Sequence, residues 1–131
     1  VDLEILQDVK SIAVVGISDK SERPSYQVAQ FLQEKGYKII PVNPMVAEVL
    51  GEKAYPDISA VPAEIQIDLV DVFRKSEEVM PIVEEAIKRG VSCIWLQEGV
   101  VNEEAAEMAK TAGLKVEMDK CIKKVLKSIA E

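Results

Sequence analysis

The stretch Ile12-Ala13-Val14-Val15-Gly16-Ile17-Ser18-Asp19-Lys20-Ser21-Glu22-Arg23-Pro24-Ser25 decides the fold. Its first four residues are apolar without a break and mostly β-branched, the pattern of a parallel strand covered on both faces. Gly16 then permits a sharp turn and a close approach to the backbone. A helix follows Pro24, with Val28, Phe31 and Leu32 on one face and Gly36 as its stop. A helix start behind a glycine turn aims free N–H groups and a partial positive charge at the loop, which suits a phosphate or pyrophosphate. Ser18 and Ser25 can donate hydroxyl hydrogen bonds, and Arg23 can clamp a phosphate through its planar fork. The competing account of these residues is a solvated strand-to-helix turn.

The alternation continues outward from this unit. Ile39–Val42, Leu69–Phe73, Ile94–Leu96 and Leu114–Met118 read as further strands. Between them lie capped helical patterns. Ser76 is expected to cap a helix carrying Val79, Ile82, Val83, Ala86 and Ile87 before Gly90. Asn102 is expected to cap one through Ala105, Ala106 and Ala109 that stops at Gly113. Helices over Leu3–Val9 and Ile122–Ile129 flank the whole. Five strands joined by helices imply a parallel sheet, because parallel strands need crossovers. The expected fold is therefore α/β: a doubly wound, five-stranded parallel sheet of order 3-2-1-4-5, with helices on both faces. Residues 45–62 read as one long irregular segment wrapping a sheet edge.

Composition bounds the function. The 131 residues suit a single domain spanning 1–131. Acidic residues outnumber basic ones 23 to 16, a formal charge of -7, which argues against general binding of nucleic acid or an anionic membrane. No apolar run approaches a bilayer span, and the acidic start lacks the features of a signal peptide, so a cytoplasmic protein is expected. Cys93 opens the fourth strand and Cys121 lies past the end of the fifth. At about 3.3 Å per residue they are too far apart to bridge.

In such sheets ligands bind beyond the carboxyl ends of the strands. After the second strand comes Val42-Asn43-Pro44, where an NAD site normally carries an acidic residue, and the first loop is not G-x-G-x-x-G. Both departures count against NAD. After the third comes Phe73-Arg74-Lys75, an aromatic able to cover an adenine or an aliphatic arm beside two cations. After the fourth comes Gln97-Glu98-Gly99, an amide able to meet a ligand amide and a glycine that permits close backbone approach. After the fifth, Asp119-Lys120-Cys121 brings a thiol to the same rim, either as an inert group or facing a ligand thiol.

Val14-Val15-Gly16-Ile17-Ser18, Arg23-Pro24-Ser25-Tyr26, Pro41-Val42-Asn43-Pro44, Asp71-Val72-Phe73-Arg74, Trp95-Leu96-Gln97-Glu98-Gly99-Val100 and Met118-Asp119-Lys120-Cys121 together resemble the small single-domain CoA-binding proteins. These are similar in turn to the CoA-binding domain of the succinyl-CoA synthetase alpha subunit. The resemblance runs from about Ser11 to Cys121. It implies a Rossmann-like domain holding coenzyme A along the carboxyl edge. On that resemblance Gly16, Ile17 and Ser18 receive the pyrophosphate with Arg23 assisting, and Val42, Asn43 and Pro44 flank the adenosine. Phe73, Arg74 and Ile82 line the adenine or pantetheine path, and Leu96, Gln97 and Gly99 meet the pantetheine arm near its thiol. The chain departs from the pattern after Cys121, where Ile122-Lys123-Lys124 replaces the usual proline and opens an amphipathic helix.

Catalysis needs a positioned base, nucleophile or metal. The chain has no histidine and no Cys or carboxylate cluster at metal-ligand spacing; Asp71 and Asp119 are the remaining acids at strand ends. The expected function is thus non-catalytic binding of coenzyme A or an acyl-CoA. The alternatives are an NAD(P)-dependent oxidoreductase, a small CoA-dependent transferase, or an interaction domain. A homodimer or a protein partner is left open.

Overall fold

Every residue of Ser11–Val15, Leu69–Val72 and Cys93–Leu96 is buried, so these three strands are covered on both faces and form the middle of the sheet. The structure, a computed structural model, describes residues 3–130. After a 3-10 turn at Leu3–Leu6, shorter than the helix expected there, the order is β1 (Ser11–Val15), α1 (Pro24–Glu34), β2 (Lys38–Val42), β3 (Glu48–Val49) and β4 (Glu52–Lys53). Then follow β5 (Leu69–Val72), α2 (Val79–Arg89), β6 (Cys93–Leu96), α3 (Glu103–Thr111), β7 (Lys115–Glu117) and α4 (Ile122–Ala130).

The five long strands form one parallel sheet, in the order β2-β1-β5-β6-β7. The doubly wound α/β fold is as expected, but counting only these strands the order is 2-1-3-4-5, not 3-2-1-4-5. Two physical facts put β5 inside, between β1 and β6. Its residues are all buried and need a partner on each side. The outer edge of β2 is already taken, because Asn43 N–H donates to Tyr55 O at 2.8 Å and Tyr55 N–H to Pro41 O at 3.0 Å. Pro41 itself has no N–H to give a further strand, which suits an edge. The segment 45–62 does wrap this edge, yet it is not wholly irregular, since β3 and β4 pair antiparallel within it.

Pleat alternation divides the core in two. Ile12, Val14, Ile39, Leu69 and Trp95 pack with Val28, Leu32 and Ile122, under α1 and α4. Ala13, Val15, Ile40, Val70, Val72 and Ile94 pack with Val79, Val83 and Ala105, under α2 and α3. Asn102 caps α3 as expected, its Oδ1 accepting from Ala105 N–H at 3.0 Å. Ser76 does not cap α2. It opens a 3-10 turn, and its Oγ accepts instead from Val101 N–H at 2.9 Å, tying the turn after β5 to the loop after β6. Arg89, in the last turn of α2, donates to the carbonyls of Ile58, Val61, Pro62 and Ile65 at 2.6–3.2 Å and so fixes the return from the edge segment.

Candidate functional site

With order 2-1-3-4-5 the winding reverses between β1 and β5, and there the loop after β1 meets the loop after β5. Gly16 N–H donates to Val42 O and Phe73 N–H to Val15 O, both at 2.8 Å, so three strand ends are locked at one level. Gly16 has φ of 89°, and a Cβ built on it would lie 2.6 Å from Phe73 O and 3.0 Å from Arg74 Cδ. Only glycine fits, for both conformation and space.

Beyond Gly16 the loop folds on itself. Ser25 Oγ, at the start of α1, accepts from Ser18 N–H at 2.9 Å, and Ser18 Oγ accepts from Lys20 N–H at 3.0 Å. Asn43 braces this loop from β2: its Nδ2 donates to Ile17 O and its Oδ1 accepts from Met45 N–H, each at 2.8 Å. The result is a 310 Å³ cleft lined by Gly16, Ser18, Lys20, Arg23, Ser25 and Phe73, with the two cations exposed.

Two further clefts continue it. Phe73 and Pro24 are shared with a 630 Å³ cleft toward β6, whose walls include Val28, Val100, Gln97, Glu98 and Cys121. Arg74 is shared between that cleft and one of 300 Å³ toward β2, lined by Val42, Pro44 and Ile82 among others. Together they form a groove along the carboxyl edge, basic near α1 and more apolar toward β6.

Of the expected residues, Gly16, Ser18, Arg23, Pro24, Ser25, Val42, Pro44, Phe73, Arg74, Ile82, Gln97 and Cys121 line this groove. Ile17 and Leu96 do not: both side chains are fully buried in the core, so only their backbone can face a ligand. Asn43 acts as the brace just described. Gly99 lies off the groove, and its N–H is held by Asp119 Oδ1 at 2.8 Å, which accounts for that aspartate as a loop tie. The groove also contains residues not singled out from sequence, among them Val28, one turn into α1, and Asp57 and Glu85 at the β2 end. Both carboxylates are structural. Asp57 accepts from Ala60 N–H at 2.8 Å and Glu85 from Ser59 Oγ at 2.9 Å.

Two polar side chains near the groove are buried with groups left over. Gln97, 4% exposed, accepts from Ile122 N–H through Oε1 at 3.2 Å, while its amide N–H₂ has no partner among the described residues. Asp71, fully buried in β5, has no partner for either carboxylate oxygen among the described residues. It pairs in register with Val14 and Trp95 and lies on the α1/α4 face, one pleat inward from Phe73. Burial alone pushes its pKa well above the ordinary range, because desolvation disfavours the charged form. Among the described residues no group of three or more His, Cys, Asp or Glu could hold a metal ion.

Comparison with known proteins identifies the family. Residues 10–127 match the family described as the CoA binding domain. The chain is 47% identical over 120 residues to the uncharacterized protein YneT of Bacillus subtilis, covering 92% of this chain and 87% of that one. A hypothetical protein from Pyrococcus horikoshii superposes with a TM-score of 0.92 at 40% identity, over 98% of this chain and 89% of the other. The ADP-forming acetate–CoA ligase II of Archaeoglobus fulgidus is 31% identical over 88% of this chain, which spans 19% of the ligase. The chain belongs to the CoA-binding domain family.

Proposed function

We propose that the chain, as one domain over residues 1–131, binds coenzyme A or an acyl-CoA along the carboxyl edge, and that it holds this ligand rather than turning it over. The observation that carries this reading is the continuity of the groove: Phe73 joins a cationic cleft at the start of α1 to an apolar one ending at Gln97 and Cys121. The residues fit such a molecule. Ser18, Lys20 and Arg23 would hold its anionic pyrophosphate, Val42, Pro44 and Ile82 its adenosine, and Val28, Phe73 and Val100 its pantetheine arm. Gln97 Nε2 is a donor in the right place for an amide carbonyl. When bound, coenzyme A would supply a thiol or thioester at the β6 end of the groove.

The chain's own groups support holding rather than turnover. Asp71 is fully buried, with its pKa raised by desolvation, and Asp119 is tied to Gly99. Cys93 is buried. Two free cysteines among the described residues are in keeping with a reducing, cytoplasmic setting. No helix among the described residues is long and apolar enough to cross a membrane.

The test is a calorimetric titration of the full chain with coenzyme A and, separately, with NADPH, alongside native mass spectrometry of the freshly purified protein. Saturable coenzyme A binding, and a copurifying ligand of its mass, are expected. Tight NADPH binding with no affinity for coenzyme A would overturn the reading.

A further inference from the structure

A sulfur lines the groove. Cys121 immediately precedes α4, and its carbonyl accepts the hydrogen bond from Val125 N–H at 3.1 Å, so its backbone is fixed at the helix start. Its side chain is half-buried and lines the 630 Å³ cleft together with Gln97. The neighbouring Ile122 N–H is the group that holds Gln97 Oε1, which leaves the Gln97 amide N–H₂ in the cleft wall without a partner among the described residues. That amide lines the cleft, so a ligand carbonyl arriving there would find a donor to pair with. Amide donor, apolar walls and thiol thus line one cleft, and they are the groups that an amide-bearing aliphatic arm ending in sulfur would need. The other cysteine offers no competing site. Cys93 Sγ is buried and donates to Ile5 O at 3.3 Å, and burial pushes its thiol pKa up.

We propose that Cys121 is a thiol-exchange site, at which a disulfide form of coenzyme A seated in the groove becomes covalently joined to the chain. This rests on the coenzyme A reading above. In the step, Cys121 gives its proton to water and its thiolate attacks the sulfur of the seated half of the disulfide. The bond between the two halves of the ligand breaks as the bond from Cys121 Sγ forms. The departing half leaves as a thiolate and takes up a proton. Cys121 is oxidised, the departing thiol is reduced, and the disulfide itself is the only oxidant required. The product occupies the groove and closes it to reduced coenzyme A until a reductant releases it.

The experiment exposes the full chain to coenzyme A disulfide, and in parallel to glutathione disulfide, and follows intact mass with time. One coenzyme A moiety should add per chain, map to the Cys121 peptide, disappear on reduction and be absent from Cys121→Ser. Its rate should saturate with concentration and exceed that of glutathione disulfide by about tenfold or more, because only the former is held beside the thiol. Titration of the unaltered chain with reduced coenzyme A, in the presence of a phosphine reductant, reads the parent function separately. If the chain binds reduced coenzyme A but forms no adduct with the disulfide, or forms it on Cys93, the exchange site is wrong and the binding function stands. Equal, unsaturable rates with both disulfides would also overturn the proposal, since Cys121 would then be reacting without a seated ligand.

Discussion

Asp68, just before β5, and Asp71, within it, lie three residues apart and are treated in opposite ways. At the amino edge Asp68 accepts from Lys10 N–H at 2.8 Å, Ser11 N–H at 3.1 Å and Gln66 Nε2 at 2.6 Å. Ser11 Oγ completes the cluster by donating to Gln66 O at 2.7 Å. Burial opposes the charge of Asp68, but these hydrogen bonds outweigh it and hold its carboxyl below the ordinary 3.8. Toward the carboxyl edge Asp71 has no partner among the described residues and is driven the other way. One edge is closed by its own hydrogen bonds. The other keeps polar capacity in reserve, at Asp71 and at the Gln97 amide, around a groove. The first edge is closed on itself, and the second is the one proposed to bind.

That division can be broken most severely at Gly16. Gly16→Ala forces a Cβ against Phe73 O in a left-handed conformation, and should cost about 3–4 kcal/mol of stability as well as coenzyme A affinity. Denaturant unfolding and calorimetry together would show both losses. Asp68→Ala should separate the edges, lowering stability by about 2–3 kcal/mol while leaving the dissociation constant for coenzyme A unchanged. Arg23→Ala should do the reverse, weakening binding by about 2 kcal/mol with the unfolding midpoint unmoved, since Arg23 is exposed and its side chain caps nothing. An unaltered dissociation constant would show that Arg23 is merely solvated.

The smallest effect concerns pH. Asp71 binds its proton more tightly folded than unfolded, so its contribution is fully present below about 3.8 and is lost as pH rises through its elevated folded value. Asp71→Asn removes this dependence. Between about pH 5 and about pH 8 the variant should gain stability relative to the unaltered chain, read from urea midpoints at the two pH values. Asp68 has the opposite sign, its contribution being present above 3.8 and lost as pH falls through its lower folded value.

Strands, helices and the tight turn after β1 were legible because each has a local cause: apolar runs, the Asn102 cap, a glycine where no side chain fits. Strand order was not, because it depends on which edges remain free. Pro41 carried the missing signal, since a proline within a strand favours an edge, while Asp71 interrupts the apolar run that would have marked β5 as central. Within the site, residues whose type suits a ligand were placed by pleat parity, which sequence leaves undetermined. Leu96 points to the α2/α3 core, while Gln97 lines the groove. Ser76 illustrates a different limit. Its hydroxyl suits a cap, but a backbone N–H 25 residues away claims it.

Trp95 gives the molecule a built-in optical reporter. It is the only tryptophan in the chain, fully buried, with Asp71 as its register partner and its Nε1 donating to Lys120 O at 2.8 Å, one residue before Cys121. A single indole in an apolar setting emits one blue-shifted fluorescence band that needs no deconvolution. Its wavelength and intensity respond to the charge on Asp71 on one side and to the seating of α4 on the other, so unlabelled protein can be followed in a cuvette.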